Sequence, residues 1–264
     1  MKIVTWNINS IRLRLDLIRA LRDLVDFDLL LLQETKCTNE QFPLQEIVNM
    51  GFKDCIYDGE KSYNGVAIIA KRKIENKFSL KLYNDDTRHI ACFVDDVEIH
   101  NFYVPAGGDI PDIHLNKKYL HKLSYVKLME EWFENNRNSK NKIIIAGDLN
   151  IAPFEHDVWS SKQLDNVISH TKAEKDNLNA LRINCHFTDS ARYFIPSNEK
   201  LYTWWSYRNK DWQKSNRGRR LDHIWVSNNL VAKMKEITVL KEARNWSSPS
   251  DHVPYILNID LEKT

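Results

Sequence analysis

Residues 142–152 read Lys142-Ile143-Ile144-Ile145-Ala146-Gly147-Asp148-Leu149-Asn150-Ile151-Ala152. An apolar, β-branched run closed by Gly, Asp and Asn has the form of a buried strand that opens into a polar loop. Six more runs of this kind occupy residues 2–6, 28–32, 66–70, 97–104, 221–226 and 255–259. Between them Leu115, Tyr119, Leu123, Val126, Met129 and Phe133 recur at three- and four-residue steps, which predicts one amphipathic helix with Asn116 at its start. Shorter helical patterns lie at residues 10–24 and 157–169. Mixed strands and helices, with no solenoid repeat and no Gly/Ser/Pro linker, predict one domain over residues 1–264. Its class is α/β or α+β, with a sheet core and outer helices.

Composition agrees. Of 264 residues 42% are hydrophobic and 28% charged, enough to build a large core and to cover it. A net charge of +2 excludes a wholly basic surface, so a polyanionic partner must be met by a local concentration of charge. The N-terminal stretch lacks the apolar core of a signal peptide, and no apolar run approaches the roughly 20 residues of a membrane span. Four scattered cysteines, none in C-x-x-C spacing, give neither a zinc knuckle nor a disulfide framework. The expectation is a cytoplasmic monomer with reduced thiols and no membrane partner.

The chemistry sits where strands end. One run ends in Trp6-Asn7-Ile8-Asn9, another in Gln33-Glu34-Thr35-Lys36, a third in Tyr103-Val104-Pro105-Ala106-Gly107-Gly108-Asp109, and a fourth in Gly147-Asp148-Leu149-Asn150. A single such end is ordinary, because Asp and Asn favour turns and caps. Four together point to a shared cavity. Residues two apart in extended backbone face the same side, so Asn7 with Asn9, and Asp148 with Asn150, are expected to converge as pairs. Carboxylates and amides without clustered Cys or a helical His pair make a hard-oxygen environment, suited to Mg²⁺ or Mn²⁺ and to phosphate chemistry.

Two Asp-His pairs follow, Asp222-His223 and Asp251-His252. If residues 221–226 are a strand, Asp222 and His223 face opposite sides, so Asp222 needs a distant imidazole; His252, bracketed by Pro249 and Pro254, is the candidate. The alternative is a hydrogen-bonded turn. Residues 208–220 carry six Lys or Arg against one Asp, next to Trp204, Trp205 and Tyr207. Basic charge interleaved with aromatics suits backbone phosphates and a disrupted base pair; equally, it suits a solvated loop whose aromatics complete the core.

In this order, Trp-Asn-x-Asn at 6–9, Leu-Gln-Glu-Thr-Lys at 32–36, Tyr-Val-Pro-Ala-Gly at 103–107, Gly-Asp-Leu-Asn-Ile-Ala at 147–152, Arg-Leu-Asp at 220–222 and Ser-Asp-His at 250–252 resemble exonuclease III. That is the apurinic/apyrimidinic (AP) endonuclease branch of the endonuclease/exonuclease/phosphatase superfamily. The resemblance implies a four-layered α/β sandwich, two mixed sheets packed together with helices outside. It also implies a Mg²⁺-dependent DNA repair phosphodiesterase that incises 5′ to abasic sites. Exonuclease activity from the 3′ end and 3′-phosphatase or 3′-phosphodiesterase activity on double-stranded DNA are implied with it.

Carried over motif by motif, Glu34 is the principal metal ligand with Asn7 beside it, and Asp251 joins the metal's surroundings. Asp148 orients and deprotonates the attacking water, and Asn150 holds phosphate or nucleophile. Tyr103 donates to a phosphate oxygen, as does His252, oriented by Asp222. Asp148, Asn150 and His252 stand as metal candidates as well. Trp204, with Trp205 as runner-up, packs against the abasic sugar, and Arg208, Arg217 and Arg219 belong to the substrate side. Some relatives carry Asp where this chain has Asn9, which removes a carboxylate here. Two rivals remain at this stage: a phosphatase for inositol phosphates or phospholipids on the same scaffold, and a DNA-binding protein without catalysis.

Overall fold

The runs of Leu and Ile are continuous because their strands are covered on both faces. Leu29 and Leu31 point into one apolar layer and Leu30 and Leu32 into another, and all four are fully buried. The structure, a computed structural model, describes residues 1–261 except 85 and 210. Its strands are β1 (Lys2–Asn7), β2 (Leu29–Gln33), β3 (Asp54–Asp58), β4 (Val66–Ala70), β5 (Glu75–Phe78), β6 (His89–Val94), β7 (Val97–Tyr103), β8 (Ile143–Asp148), β9 (Phe187–Asp189), β10 (Trp204–Trp205), β11 (Gly218–Arg219), β12 (Asp222–Ser227), β13 (Met234–Val239) and β14 (Tyr255–Ile259). Two six-stranded sheets, ordered β13-β14-β1-β2-β4-β3 and β5-β6-β7-β8-β12-β9, pack face to face. Ile3, Leu31, Ile68, Ile99, Ile144, Ile224 and Leu257 fill the space between them. Each sheet is mixed, with β1 parallel to β2 and β7 parallel to β8.

Helices form the outer layers. Helix α1 (Leu15–Leu24) lays Ile18 and Leu21 on the outer face of the first sheet, in one cluster with Val4, Leu30 and Leu32, and α2 (Leu44–Asn49) adds Ile47. On the second sheet, α3 (Lys117–Asn136) and α5 (Lys172–Asn184) press Met129, Phe133, Leu178 and Leu181 against Phe102, Ile143 and Ile145. The expected four-layered sandwich is what forms. Single turns α4 (Ser161–Leu164), α6 (Ser190–Phe194) and α7 (Trp212–Ser215) sit in the connections.

Three expectations change. The pattern over residues 157–169 yields only a 3₁₀ turn at Glu155–Asp157 and the single turn α4. Asp157 is drawn inward to Arg220 and Arg192, and the Ser160 side chain opens a new start by accepting from the Gln163 amide. Helix α5, unanticipated, had its signal in Thr171-x-x-Glu174, a capping box with both reciprocal bonds made. In α3, Leu115 precedes the helix and is 76% exposed, while Lys122 and Tyr125 join the buried stripe. Asn116 caps α3 as expected, accepting from Lys118 and Tyr119.

A polar seam crosses the apolar interlayer. Asn101 on β7 donates to the carbonyls of Leu32 and Ala67 in the other sheet, both at 2.9 Å, and accepts from Gln33 Nε2 at 2.7 Å. Arg220 is likewise fully buried, its guanidinium forked onto both oxygens of Asp157 at 2.8 Å and reaching Asp189. Replacing Arg220 with Met leaves those carboxylates without their main cation, so a loss of about 3–5 kcal/mol is expected. Urea unfolding checks this.

Candidate active site

Parallel pairing decides where functional groups meet. β1 and β2 run the same way, as do β7 and β8, and β12 runs back along β8 with Asp222 opposite Asp148. The ends carrying Asn7, Glu34, Tyr103 and Asp148, with the start carrying Asp222, therefore fall at one pole. The loop before β14 adds Asp251 and His252, and Trp204 bridges to His252.

Asn7 spans the two sheets: its Nδ2 donates to Glu34 Oε1 at 2.8 Å and to Asp148 Oδ2 at 2.9 Å. Tyr103 Oη donates to Glu34 Oε1 at 2.9 Å, and Asn150 Nδ2 to Asp148 Oδ2 at 3.1 Å. His252 Nδ1 lies 2.8 Å from Asp222 Oδ2, and its Nε2 faces Asp148 Oδ2 at 3.7 Å. As expected of a strand, His223 turns away, to the Ile151 carbonyl at 2.8 Å. Lys36 Nζ holds Glu34 Oε2 at 2.7 Å and Asn9 Oδ1 at 2.6 Å. Asp251 accepts from Trp204 Nε1 at 2.9 Å and from Asn9 Nδ2 at 3.1 Å.

The pairs converge by a different route from the one expected. Asn9 and Asn150 lie beyond their strands with φ of 47° and 54°, and Glu34 has φ of 51°. Asn7 and Asp148 each accept the backbone N–H two residues on, bending the chain so that the second side chain returns to the site. Asparagine tolerates this left-handed backbone; for Glu34 it is strained, the kind of strain that collects at functional sites.

Burial and neighbours set the charges. Burial alone would lower the His252 pKa, but Asp222 and Asp148 outweigh it and raise it to about 10. Burial lifts Asp148 well above the usual carboxylate range, against the pull of His252. Glu34 goes the other way: burial is outweighed by Lys36 and Asn7, and its carboxyl stays ionised more readily than usual. Asp251 is also held low, with His252 and Trp204 overcoming burial. Tyr103 is pushed up by burial and by Glu34, so it remains a phenol donor.

Asp148, Asp222 and His252 bring possible ligand atoms within 4.8 Å of one another. His252 is hydrogen-bonded to Asp222 through Nδ1 and faces Asp148 through Nε2, so without a metal the three form an Asp–His–Asp chain. Asn7, expected beside the metal, turns its oxygen to the Asn9 amide and its nitrogen to the two carboxylates, making it a bridge. The carboxylates of Glu34 and Asp251, linked through Lys36 and Asn9, offer hard-oxygen donors of the kind a divalent cation takes.

A cavity of about 270 Å³ opens over these groups, lined by Tyr103, Asp148, Trp204, Arg219, Leu221 and His252 among others. It adjoins a groove of about 920 Å³ whose lining includes Trp159, Trp204, Arg208, Arg217 and Arg219. The Arg217 and Arg219 guanidiniums lie 4.7 and 5.4 Å from the ring centres of Trp159 and Trp204. Trp205 does not face the groove. It is 1% exposed and packs inward against Tyr202 and Trp212, because consecutive strand residues point to opposite sides. Nor is all the basic segment on the surface: Arg220 is internal, and Lys210 lies outside the described residues. Sequence reasoning missed Trp159, which only the fold brings to the groove, and Arg88, 4.8 Å from the Tyr103 ring at the start of the unanticipated β6.

The chain belongs to the Endonuclease/Exonuclease/phosphatase family, whose model matches residues 4–252. It is 26% identical over 270 residues to exodeoxyribonuclease III of Haemophilus influenzae, covering 96% of this chain and 98% of that protein. The solved structure of an AP endonuclease from Archaeoglobus fulgidus superposes with a TM-score of 0.91 at 30% identity, covering 99% of this chain and 100% of that one. A 3′-5′ exonuclease from Neisseria meningitidis gives a TM-score of 0.91 at 32% identity, over 98% of this chain and 100% of the other. The resemblance to exonuclease III-type repair nucleases is borne out, and with it the class of a hydrolytic nuclease. No helix among the described residues is long and apolar enough to cross a membrane.

Two predictions follow from the geometry. His252 has a folded-state pKa above its unfolded value, so its contribution to stability is present below about pH 6.5 and is lost as pH rises through about 10. Imidazole ¹⁵N shifts of the metal-free protein should report an imidazolium throughout the neutral range, and Asp222→Asn should move the titration toward neutrality. Trp204→Ala should leave the urea midpoint nearly unchanged, whereas Trp205→Ala should cost about 3–5 kcal/mol of stability.

Proposed function

We propose that residues 1–264 act as one domain and as a monomeric, divalent-metal-dependent DNA repair phosphodiesterase. It cleaves 5′ to an abasic site in double-stranded DNA, leaving a 3′-hydroxyl and a 5′-deoxyribose phosphate. Removal of nucleotides and of blocking phosphates or phosphodiesters from 3′ ends accompanies this. The observation that carries the reading is Asp148: buried, hydrogen-bonded by Asn7 and Asn150, facing His252, and set in a cavity walled by Trp204 and Arg219. The exodeoxyribonuclease, AP endonuclease and 3′-5′ exonuclease among its relatives favour DNA over inositol phosphates or lipids.

In this reading Asp148, with its pKa raised, takes the proton of the attacking water, since a base poised near neutrality is the effective one. The 3.7 Å between Asp148 Oδ2 and His252 Nε2 is too long for a direct hydrogen bond, so each atom is free to face an oxygen in the cavity. His252, fixed through Nδ1 by Asp222, donates Nε2–H to a nonbridging phosphate oxygen, and Tyr103 supplies a second donor. Asn150 keeps Asp148 turned toward the water. Glu34 and Asp251 would hold a Mg²⁺ or Mn²⁺ ion, which would supply Lewis acidity for the charge that develops in the transition state. Trp204 packs on the baseless sugar, whose extrusion costs less than that of a paired nucleotide, while Arg208, Arg217 and Arg219 meet backbone phosphates.

The test is a synthetic duplex with one abasic analogue, against an intact duplex, with Mg²⁺ and with chelator. Metal-dependent incision immediately 5′ to the lesion is expected; turnover of inositol phosphates or lipid instead would overturn the substrate. Asp148→Asn should lower the cleavage rate by about 10²–10⁴-fold while DNA still binds. Glu34→Ala should show a defect that shrinks as Mg²⁺ is raised; a uniform loss at every Mg²⁺ concentration would remove Glu34 from the metal.

A further inference from the structure

Lysine is among the residues least often buried, yet Lys122 in the middle of α3 is fully buried, as is its partner Glu174 in the first turn of α5. Lys122 Nζ lies 2.5 Å from Glu174 Oε1 and donates to the carbonyls of Asn150 at 2.8 Å and Ala106 at 3.2 Å. All three ammonium hydrogens are thus used. The two carbonyls belong to the loops that leave β7 and β8, beyond the reach of either strand ladder. The stem of Lys122 packs on Gly107, where an added Cβ would stand 2.9 Å from Lys122 Cδ.

Glu174 extends the connection. Its carboxylate accepts from the amides of Ser169 and Thr171, at 2.9 and 3.0 Å, and from Thr171 Oγ1 at 2.7 Å. Ser169, held at φ 87°, in turn presents its Oγ to Arg219 Nη1 at 2.7 Å, next to the Ile168 carbonyl at 3.0 Å. One ion pair therefore reaches three segments of the cavity wall: the loop after Tyr103, the loop carrying Asn150, and the loop bracing Arg219.

We propose that Lys122 and Glu174 are positioning residues that set the attacking side of the site, Asp148 with Asn150, at a fixed distance from the groove side at Arg219. A buried ion pair is often replaceable by apolar groups with no loss of stability, so stability alone gives no reason for this one. Misplacement of a reacting group by about 1 Å can cost on the order of 10²-fold in rate, which does give a reason. The proposal rests on the nuclease reading above for its rate measurement, and on backbone dynamics independently of it.

Lys122→Met alone strands a buried carboxylate and can unfold the chain, so the deciding variant is Lys122→Met with Glu174→Gln, which removes both charges and keeps an acceptor for the Thr171 amide. The double variant should still unfold in one cooperative transition, at a midpoint lowered because the Asn150 and Ala106 carbonyls lose their donor. On abasic duplex its kcat should fall about 10²-fold with KM changed by less than about threefold. Amide hydrogen exchange should rise together over residues 104–108, 148–152 and 168–171. A folded double variant with unaltered kcat would overturn the proposal, as would increased exchange in one of the three segments alone. Should the unaltered protein cleave no abasic duplex, the nuclease reading fails. The exchange measurement still decides: a joint rise supports the positioning role, and unchanged exchange overturns it.

Discussion

Two apolar sheet faces can slide over one another at little cost, and a site built from the strand ends of both cannot tolerate that. The amide of Asn101 prevents it. Inserted from β7 into the other sheet, it donates to the carbonyls of Leu32 and Ala67 and accepts a hydrogen bond from the Gln33 amide, all within the buried interlayer. Sliding by one residue would leave these groups unpaired in an apolar environment, at about 1–3 kcal/mol each. The fixed offset brings Asn7 of one sheet to Asp148 of the other, and every further contact of the site builds on that meeting.

From there the site runs as a chain of opposed charges broken by one amide: Lys36, Glu34, Asn7, Asp148, His252, Asp222. Uninterrupted carboxylates at these separations would repel one another and be driven to protonate. With the Asn7 amide between Glu34 and Asp148 and an imidazolium between Asp148 and Asp222, Glu34 stays ionised while Asp148 is held nearer neutrality. Two carboxylates a few ångströms apart thereby take different protonation behaviour from burial and neighbours alone. The strained backbone at Glu34 has the same origin, since a regular strand continuation would carry its carboxylate away from Asn7.

Much of this was legible in the sequence. The seven long strands announce themselves because both their faces are covered, and the strand-end residues because four polar termini in one chain are unusual. The pairing of Asp222 with a remote imidazole followed from strand alternation. What was hidden depends on tertiary partners. Strands such as β3, β5 and β13 are half exposed and lack a clear apolar pattern. Residues 157–169 have a helical pattern that Arg220 overrides by pulling Asp157 inward. Trp204 and Trp205 are identical in composition and opposite in direction, and only the β10–β11 pairing decides which one faces the groove.

The first strand lies in the middle of its sheet, between β2 and the last strand, and the Trp6 indole donates to the His252 carbonyl across 246 positions of sequence. A chain still emerging from the ribosome holds Asn7, Glu34, Tyr103 and Asp148 long before it holds His252. The imidazolium, the Asp251 carboxylate and the strand that flanks β1 all lie far beyond Asp148 in the chain. Long-range pairing of this kind closes late. The groups on the first strand ends therefore form an incomplete site until the loop carrying Asp251 and His252 docks beside them.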